Sequence, residues 1–235
     1  MEYPSFTTIK EKIERELDLE TEDFIQPEEF KSYVNDAINI AEQAIHKLGL
    51  EDEYFLSRGY ISLVTNQEDY NLPSDIYSNK IKRITYINGS TIFDVRRLRG
   101  HTRFEDAARI SVYNTITDYY RYWIRNDSSA TKPVLQLIPK SRETVSNVLE
   151  IWYYRTARKW VSDDSALCDL PESALQFLYA YVRYRCYDKE GHPNTPEAKD
   201  SMVQTRQDMV DVLSNMVPDE DSEMDKDLSI YQDMT

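Results

Sequence analysis

Two hydrophobic rhythms divide the chain. Ile9, Ile13 and Leu17 recur every four residues, which predicts a short amphipathic helix over about 5–17. An acidic link, 18–23, follows. Gln26-Pro27-Glu28-Glu29 reads as a helix start with proline in the first turn, where no hydrogen bond is lost. Phe30, Tyr33, Val34, Ala37, Ile38, Ala41, Ile45 and Leu48 then form one stripe at helical spacing, closed by Gly49. The stripe predicts a helix of about six turns.

After Gly59 the rhythm shortens to two. Residues 60–65 read as a strand, 66–69 as a turn, and Tyr70-Asn-Leu-Pro-Ser-Asp75 as an extended stretch fixed by its proline. Asn88-Gly89 interrupts two β-prone runs within 82–95 and predicts a hairpin with a type I′ turn. A short helix is expected over 103–108. Strands follow at 119–124 and 134–138, joined by the polar turn 126–132 and ended by Pro139 to Arg142, and a last strand runs over 148–156.

The chain then returns to helical spacing. A polar loop, 162–166, leads to Leu170-Pro171-Glu172, which opens a helix running to about Glu190 and capped by Gly191. Thr195-Pro196-Glu197 starts the next helix with a hydroxyl N-cap, a proline at the first position and an acid near the positive end of the dipole. Met202, Met209 and Leu213 are its expected inward stripe. The order of helices, strands and helices predicts an α+β protein. Its helix bundle is formed by both chain ends (1–58 and 158–216), with an inserted antiparallel β subdomain (59–157). Residues 217–235 hold seven acids against one lysine with few apolar positions and no period, which predicts a disordered acidic C-terminal arm.

Composition narrows the function. The 235 residues carry a net charge of −14, whereas a free-standing duplex-DNA binder usually shows a basic face. The five glycines all fall where an element would end, so no glycine-rich phosphate loop can be built. Cys168 and Cys186 are too few for a zinc motif or a disulfide framework. His46, His101 and His192 show no metal-ligand spacing. Asp163-Asp164 lacks the oxygen-rich loop of a calcium site, and no nucleophile elbow is present. No catalytic residue, cofactor or metal is therefore expected. Neither a basic-apolar leader at the N-terminus nor an apolar run of spanning length is visible, so the expectation is a soluble protein made in a cytoplasm.

Four stretches in order carry a resemblance. They are the long helix 27–48; Tyr70-Asn-Leu-Pro-Ser-Asp75 followed by strands with an Asn-Gly hairpin; Leu135-Gln-Leu-Ile-Pro139 with Leu149-Glu-Ile-Trp-Tyr-Tyr154; and Asp169-Leu-Pro-Glu172 opening the final helical pair. This set resembles the head-to-tail adaptor of short-tailed bacteriophages, the head completion or tubular tail A-like ring proteins, over roughly 30–216. The tyrosine-rich, glycine-poor composition is also compatible with the crAss-like phages, which carry similar rings. The resemblance implies a ring, usually of twelve copies, between the portal protein and a downstream tail protein. Such a ring extends the channel through which double-stranded DNA passes without specific binding. It also implies assembly in the bacterial host cytoplasm, oligomerisation on the portal, and no membrane. Twelve chains at −14 each would carry about −170 charges, which would repel DNA phosphates from a lumen wall within about 8–10 Å.

Candidate surfaces follow. By resemblance, Asp219, Glu220, Asp221, Glu223, Asp225 and Asp227 would dock in a basic groove of the portal, with Met224, Leu228, Ile230 and Tyr231 as apolar anchors. A plain solubilising tail is the other reading of the same residues. Arg96, Arg97, Arg99 and Arg103, with Lys80, Lys82 and Arg83 nearby, suit docking to a neighbouring subunit or tail protein, phosphate contact, or a solvated strand face. Tyr119, Tyr120, Tyr122, Trp123, Trp152, Tyr153 and Tyr154 suit cross-strand packing and interface, or a stacking platform for single-stranded nucleic acid or carbohydrate. Another neck or tail ring of the same particle is the remaining alternative.

Overall fold

The structure, a computed structural model, describes residues 3–17, 25–98, 120–125, 132–162 and 165–216. They form an α+β fold in which the chain divides into two units, 1–54 with 157–235, and 55–156. The helix expected over 103–108, the residues Arg99, His101, Arg103, Tyr119, Asp163 and Asp164, and the whole acidic arm lie outside the described residues.

The first unit holds α1 (Phe6–Leu17), α2 (Pro27–Lys47), α3 (Glu51–Tyr54), α4 (Glu172–Glu190) and α5 (Thr195–Ser214). The α4 helix is central, packing against α1, α2 and α5. The expected stripes face this core. Phe6, Ile9, Ile13 and Leu17 of α1 are buried, as are Phe30, Val34, Ala37, Ile38, Ala41 and Ile45 of α2. Tyr33 and Leu48 are only half-buried.

Polar groups fix this packing where periodicity gives no hint. Glu42, 4% exposed, accepts the Ala157 N–H at 2.7 Å. Asn35 clasps Trp160 at both backbone groups, donating to its carbonyl at 2.9 Å and accepting its N–H at 2.8 Å. The Trp160 ring stacks on Phe6 and meets Phe30 edge-on, which joins α1, α2 and the segment before α4.

The helix ends show two departures. Pro171 sits at the N-cap of α4 and not inside its first turn. Thr195 does not cap α5. Asn194 occupies that position, and the Thr195 hydroxyl donates back to the Tyr187 and His192 carbonyls at 3.1 and 2.6 Å. The first of these carbonyls lies in the last turn of α4 and the second in the link to α5, so the hydroxyl adds a bond at the junction of the two helices. Gly191 is left-handed (φ 65°), and the His192 N–H reaches the Tyr187 carbonyl at 3.0 Å, as in a Schellman closure. On α5, Met209 and Leu213 are buried as expected, but Met202 is half-buried and the small Ala198 takes the close approach one turn earlier.

The second unit is built from β1 (Leu56–Leu63), β2 (Asp69–Asn71), β3 (Ile76–Asn88), β4 (Thr91–Asp94), β5 (Arg96–Arg97), β6 (Arg121–Arg125), β7 (Val134–Ile138) and β8 (Val145–Arg155). One sheet has the order β1-β8-β3-β4 and the other β2-β7-β6-β5. All pairs are antiparallel except the two-residue pair β5–β6, which is parallel. The two sheets share one core, with Leu63, Ile84, Leu149 and Ile151 from the first and Tyr70, Tyr122, Leu135 and Leu137 from the second.

Three local readings are corrected. β1 begins four residues before the expected Tyr60, so Gly59 lies inside a strand opposite Ile151 instead of ending an element. A Cβ at Gly59 would meet Ile151 Cγ2 and Tyr153 Cε1, each at 3.5 Å, which is ordinary van der Waals contact with β8. β8 itself begins three residues early, at Val145. The β3–β4 hairpin exists, but its two loop residues are Gly89 and Ser90, with Asn88 paired to Thr91. Gly89 (φ 60°) stands at the first loop position, where a type II′ turn requires glycine. The Asn88 side chain donates to the Tyr86 hydroxyl at 3.1 Å instead of shaping the turn.

Candidate docking surfaces

The Tyr70-Asn-Leu-Pro-Ser-Asp75 element acts as a structural bracket of the second unit. Tyr70 is buried, and its hydroxyl donates to the Gln67 carbonyl at 3.2 Å, closing the turn after β1. Leu72 enters the shared core. Asp75 ties the element to β8 by accepting the Tyr153 hydroxyl at 2.9 Å and the Thr156 N–H at 2.7 Å. The motif therefore positions strands.

The basic residues are gathered by two local irregularities. On β3, Ile81 pairs with Tyr153 and Arg83 with Trp152, leaving Lys82 as an extra residue. Such a bulge breaks the in–out alternation, and Lys82 and Arg83 are consecutive exposed cations. Beyond β4 the Val95 N–H still donates to the Ile84 carbonyl at 2.9 Å, and Arg96 and Arg97 then leave that sheet to pair, as β5, with β6 of the other. The four cations line a groove of about 850 Å³ whose floor includes Leu56, Ile84, Val95, Tyr122 and Trp152. Asp94 is the single acid among the described lining residues, and both Nε and Nη2 of Arg83 reach its Oδ1, at 2.8 and 2.7 Å. Both partners of that pair are more than half exposed, so it adds little stability. Burial raises the Tyr122 hydroxyl above the usual range, and Arg97 opposes that rise. Lys80 does not join the groove; its ammonium lies 5.0 Å from the centre of the Tyr154 ring.

The aromatic group does not form an open platform. Tyr120, Tyr122, Tyr153 and Tyr154 are buried, while Trp123 and Trp152 are half-buried. Trp123 donates its indole N–H to Gln136, and the Arg58 guanidinium lies 5.6 Å from the Trp152 ring centre. A second, smaller hollow of about 450 Å³ is lined by Tyr86, Phe93, Tyr120 and Glu143. There Tyr86 stacks on Phe93 and bonds the Glu143 carboxylate. Burial, with that carboxylate second, pushes the Tyr86 hydroxyl up to about 12.

The cysteines are not poised for chemistry. Both are buried, and burial pushes Cys168 up to about 11 and Cys186 up to about 12. Thiols held protonated in this way are poor nucleophiles. Among the described residues no group of His, Cys, Asp and Glu could hold a metal ion, and no helix is long and apolar enough to cross a membrane.

The profile of the SU10 adaptor protein family matches residues 4–223, nearly the whole chain. The chain belongs to that family and is a bacteriophage head–tail adaptor, a structural protein. No curated protein matches the sequence.

Proposed function

We propose that the chain forms a ring, of twelve copies, that joins the portal to the tail and extends the DNA channel of the virion. The observation that carries this reading is the family match over 4–223, which spans both units. In this reading the helical unit meets the portal and neighbouring copies, and the β unit faces outward or toward a tail protein. Arg96 and Arg97, at the mouth of the basic groove, dock a neighbouring subunit or tail protein, joined by Arg99 and Arg103. The acids of 219–227, with Met224, Leu228, Ile230 and Tyr231, grip the portal. Duplex DNA passes without specific binding, a reading supported by the net charge of −14. Assembly takes place in the host cytoplasm.

Buried tyrosines on β6 and β8 argue against the alternative of a stacking surface for single strands or sugars. Immunogold labelling of purified virions tests the placement. Antibody raised against this chain decorates the head–tail junction if the reading is right. Label confined to capsid faces or the distal tail tip contradicts it.

A further inference from the structure

The first sheet of the β unit ends in two unlike edges that fit each other. β1 is one edge and β4 the other, and among the described residues no strand lies beyond either. β1, β8, β3 and β4 alternate in direction across the sheet. A second copy set alongside in the same orientation therefore brings its β1 antiparallel against β4. We propose that neighbouring copies of this chain join in this way, β4 of one to β1 of the next, so that the sheet continues from copy to copy. The proposal rests on the ring reading and names a contact between the ring's members.

Backbone phase, face and side chains agree on one register. The Arg155 N–H donates to the Phe55 carbonyl and the Val95 N–H to the Ile84 carbonyl, both at 2.9 Å. Residues bonded to the partner strand alternate with residues whose N–H and C=O point away from it. Counted from these bonds, Arg58 and Tyr60 on β1, and Ile92 and Asp94 on β4, turn their backbone groups to the free edges. The four side chains also share a face, since Tyr60 pairs with Glu150, Glu150 with Thr85 and Thr85 with Asp94. Tyr60 is 50% and Ile92 64% exposed, although both are large and apolar. Laying Tyr60 opposite Ile92 of the next copy covers both and sets Arg58 opposite Asp94 of that copy. Arg83 and Thr85 reach Asp94 at Oδ1, so Oδ2 is open to the neighbour. Arg58 engages Glu150 through Nη1 at 3.4 Å, and a guanidinium carries five donors. An aromatic with a β-branched residue, and a cation with an acid, are both favourable cross-strand pairs.

The unlike edges decide the symmetry. Two like edges meeting about a two-fold axis close a dimer, whereas β1 against β4 leaves a free edge on each side and continues around a ring. The ladder is short, because β4 spans only Thr91–Asp94. Its two bonded pairs give about four backbone hydrogen bonds. That is too little to hold free chains together, and chains at −14 each repel one another. The ladder therefore forms where another surface already holds the copies side by side, as on the portal.

Disulfide trapping of full chains assembled on the portal tests this. Tyr60→Cys/Ile92→Cys is assembled, oxidised mildly and run on a denaturing gel without reductant. Both sites are exposed, so native circular dichroism is kept, and the native cysteines are buried. Within one chain the two sites lie three strand spacings apart, about 14 Å, too far for a disulfide. Across the proposed ladder their Cα atoms fall about 5.5 Å apart, within range. The expected result is a series of linked chains beyond the dimer, lost on reduction. At least about tenfold less product is expected from either single variant and from the shifted pair Ser62→Cys/Ile92→Cys. Imaged rings that yield no links overturn the edge pairing and leave the ring reading standing. Links from Tyr60→Cys alone show like edges meeting and overturn it too, and links mainly from the shifted pair overturn the register. If the native chain forms no ring on the portal, the ring reading fails and the pairing with it.

Discussion

Asn35 shows how one polar residue can decide the packing of three segments. Its amide satisfies both backbone groups of Trp160, whose ring lies between Phe6 and Phe30. Asn35→Ala leaves a part-buried N–H and carbonyl without that partner, a loss of about 1–3 kcal/mol. The urea midpoint, followed by tryptophan fluorescence, should fall accordingly, and an unchanged midpoint contradicts the role. The protonated groups give a second prediction. Cys168, Cys186 and Tyr86 are raised to about 11, 12 and 12. Their contribution to stability is complete below the ordinary ionisation range, near pH 9 to 10, and is lost as pH rises toward 12, because the unfolded chain releases these protons first. Melting temperature should drop steadily between pH 9 and 12, and Cys186→Ala should make that drop shallower. A flat profile in this window contradicts the assignment.

The elements were readable where a single face is buried along a regular period. The α2 stripe from Phe30 to Ile45 and the α5 pair Met209 and Leu213 were legible because each repeats at helical spacing against one neighbour, α4. Leu213 is fully buried, so Leu213→Asp places an unpaired charge in the bundle and should abolish its cooperative melt; an unchanged melt contradicts this. What escaped the sequence depended on partners distant in the chain. Gly59 resembles an element end until β8 is laid beside it. Gly59→Ala should be tolerated at 3.5 Å contacts, whereas the branched Gly59→Val should cost about 1–3 kcal/mol in denaturant unfolding; equal stability of the two variants contradicts the close approach. The basic groove was legible only as a list of cations. Its geometry comes from the bulge at Lys82 and the change of sheet after Val95, neither of which leaves a periodic signal. Thr195 differs from its expected capping role because a hydroxyl before a proline suits a cap, while the Tyr187 and His192 carbonyls lie equally near.

For the whole molecule, the order of helices, strands and helices pointed to the adaptor class, and the family match over 4–223 shows it. No single motif carried that information. The Tyr-x-Leu-Pro-x-Asp element proves to be a bracket between strands, and its value lay in its place within the series. In the proposed ring function is collective, so the decisive observations concern copies together. The central claim is that the portal templates a ring and that residues 217–235 supply the grip. Purified chain, full-length and ended at Met216, is mixed with portal and imaged as single particles. The account predicts rings on the portal with the full chain and none without the arm. Portal left bare by the full-length chain, or rings that form equally well without the arm, would contradict it.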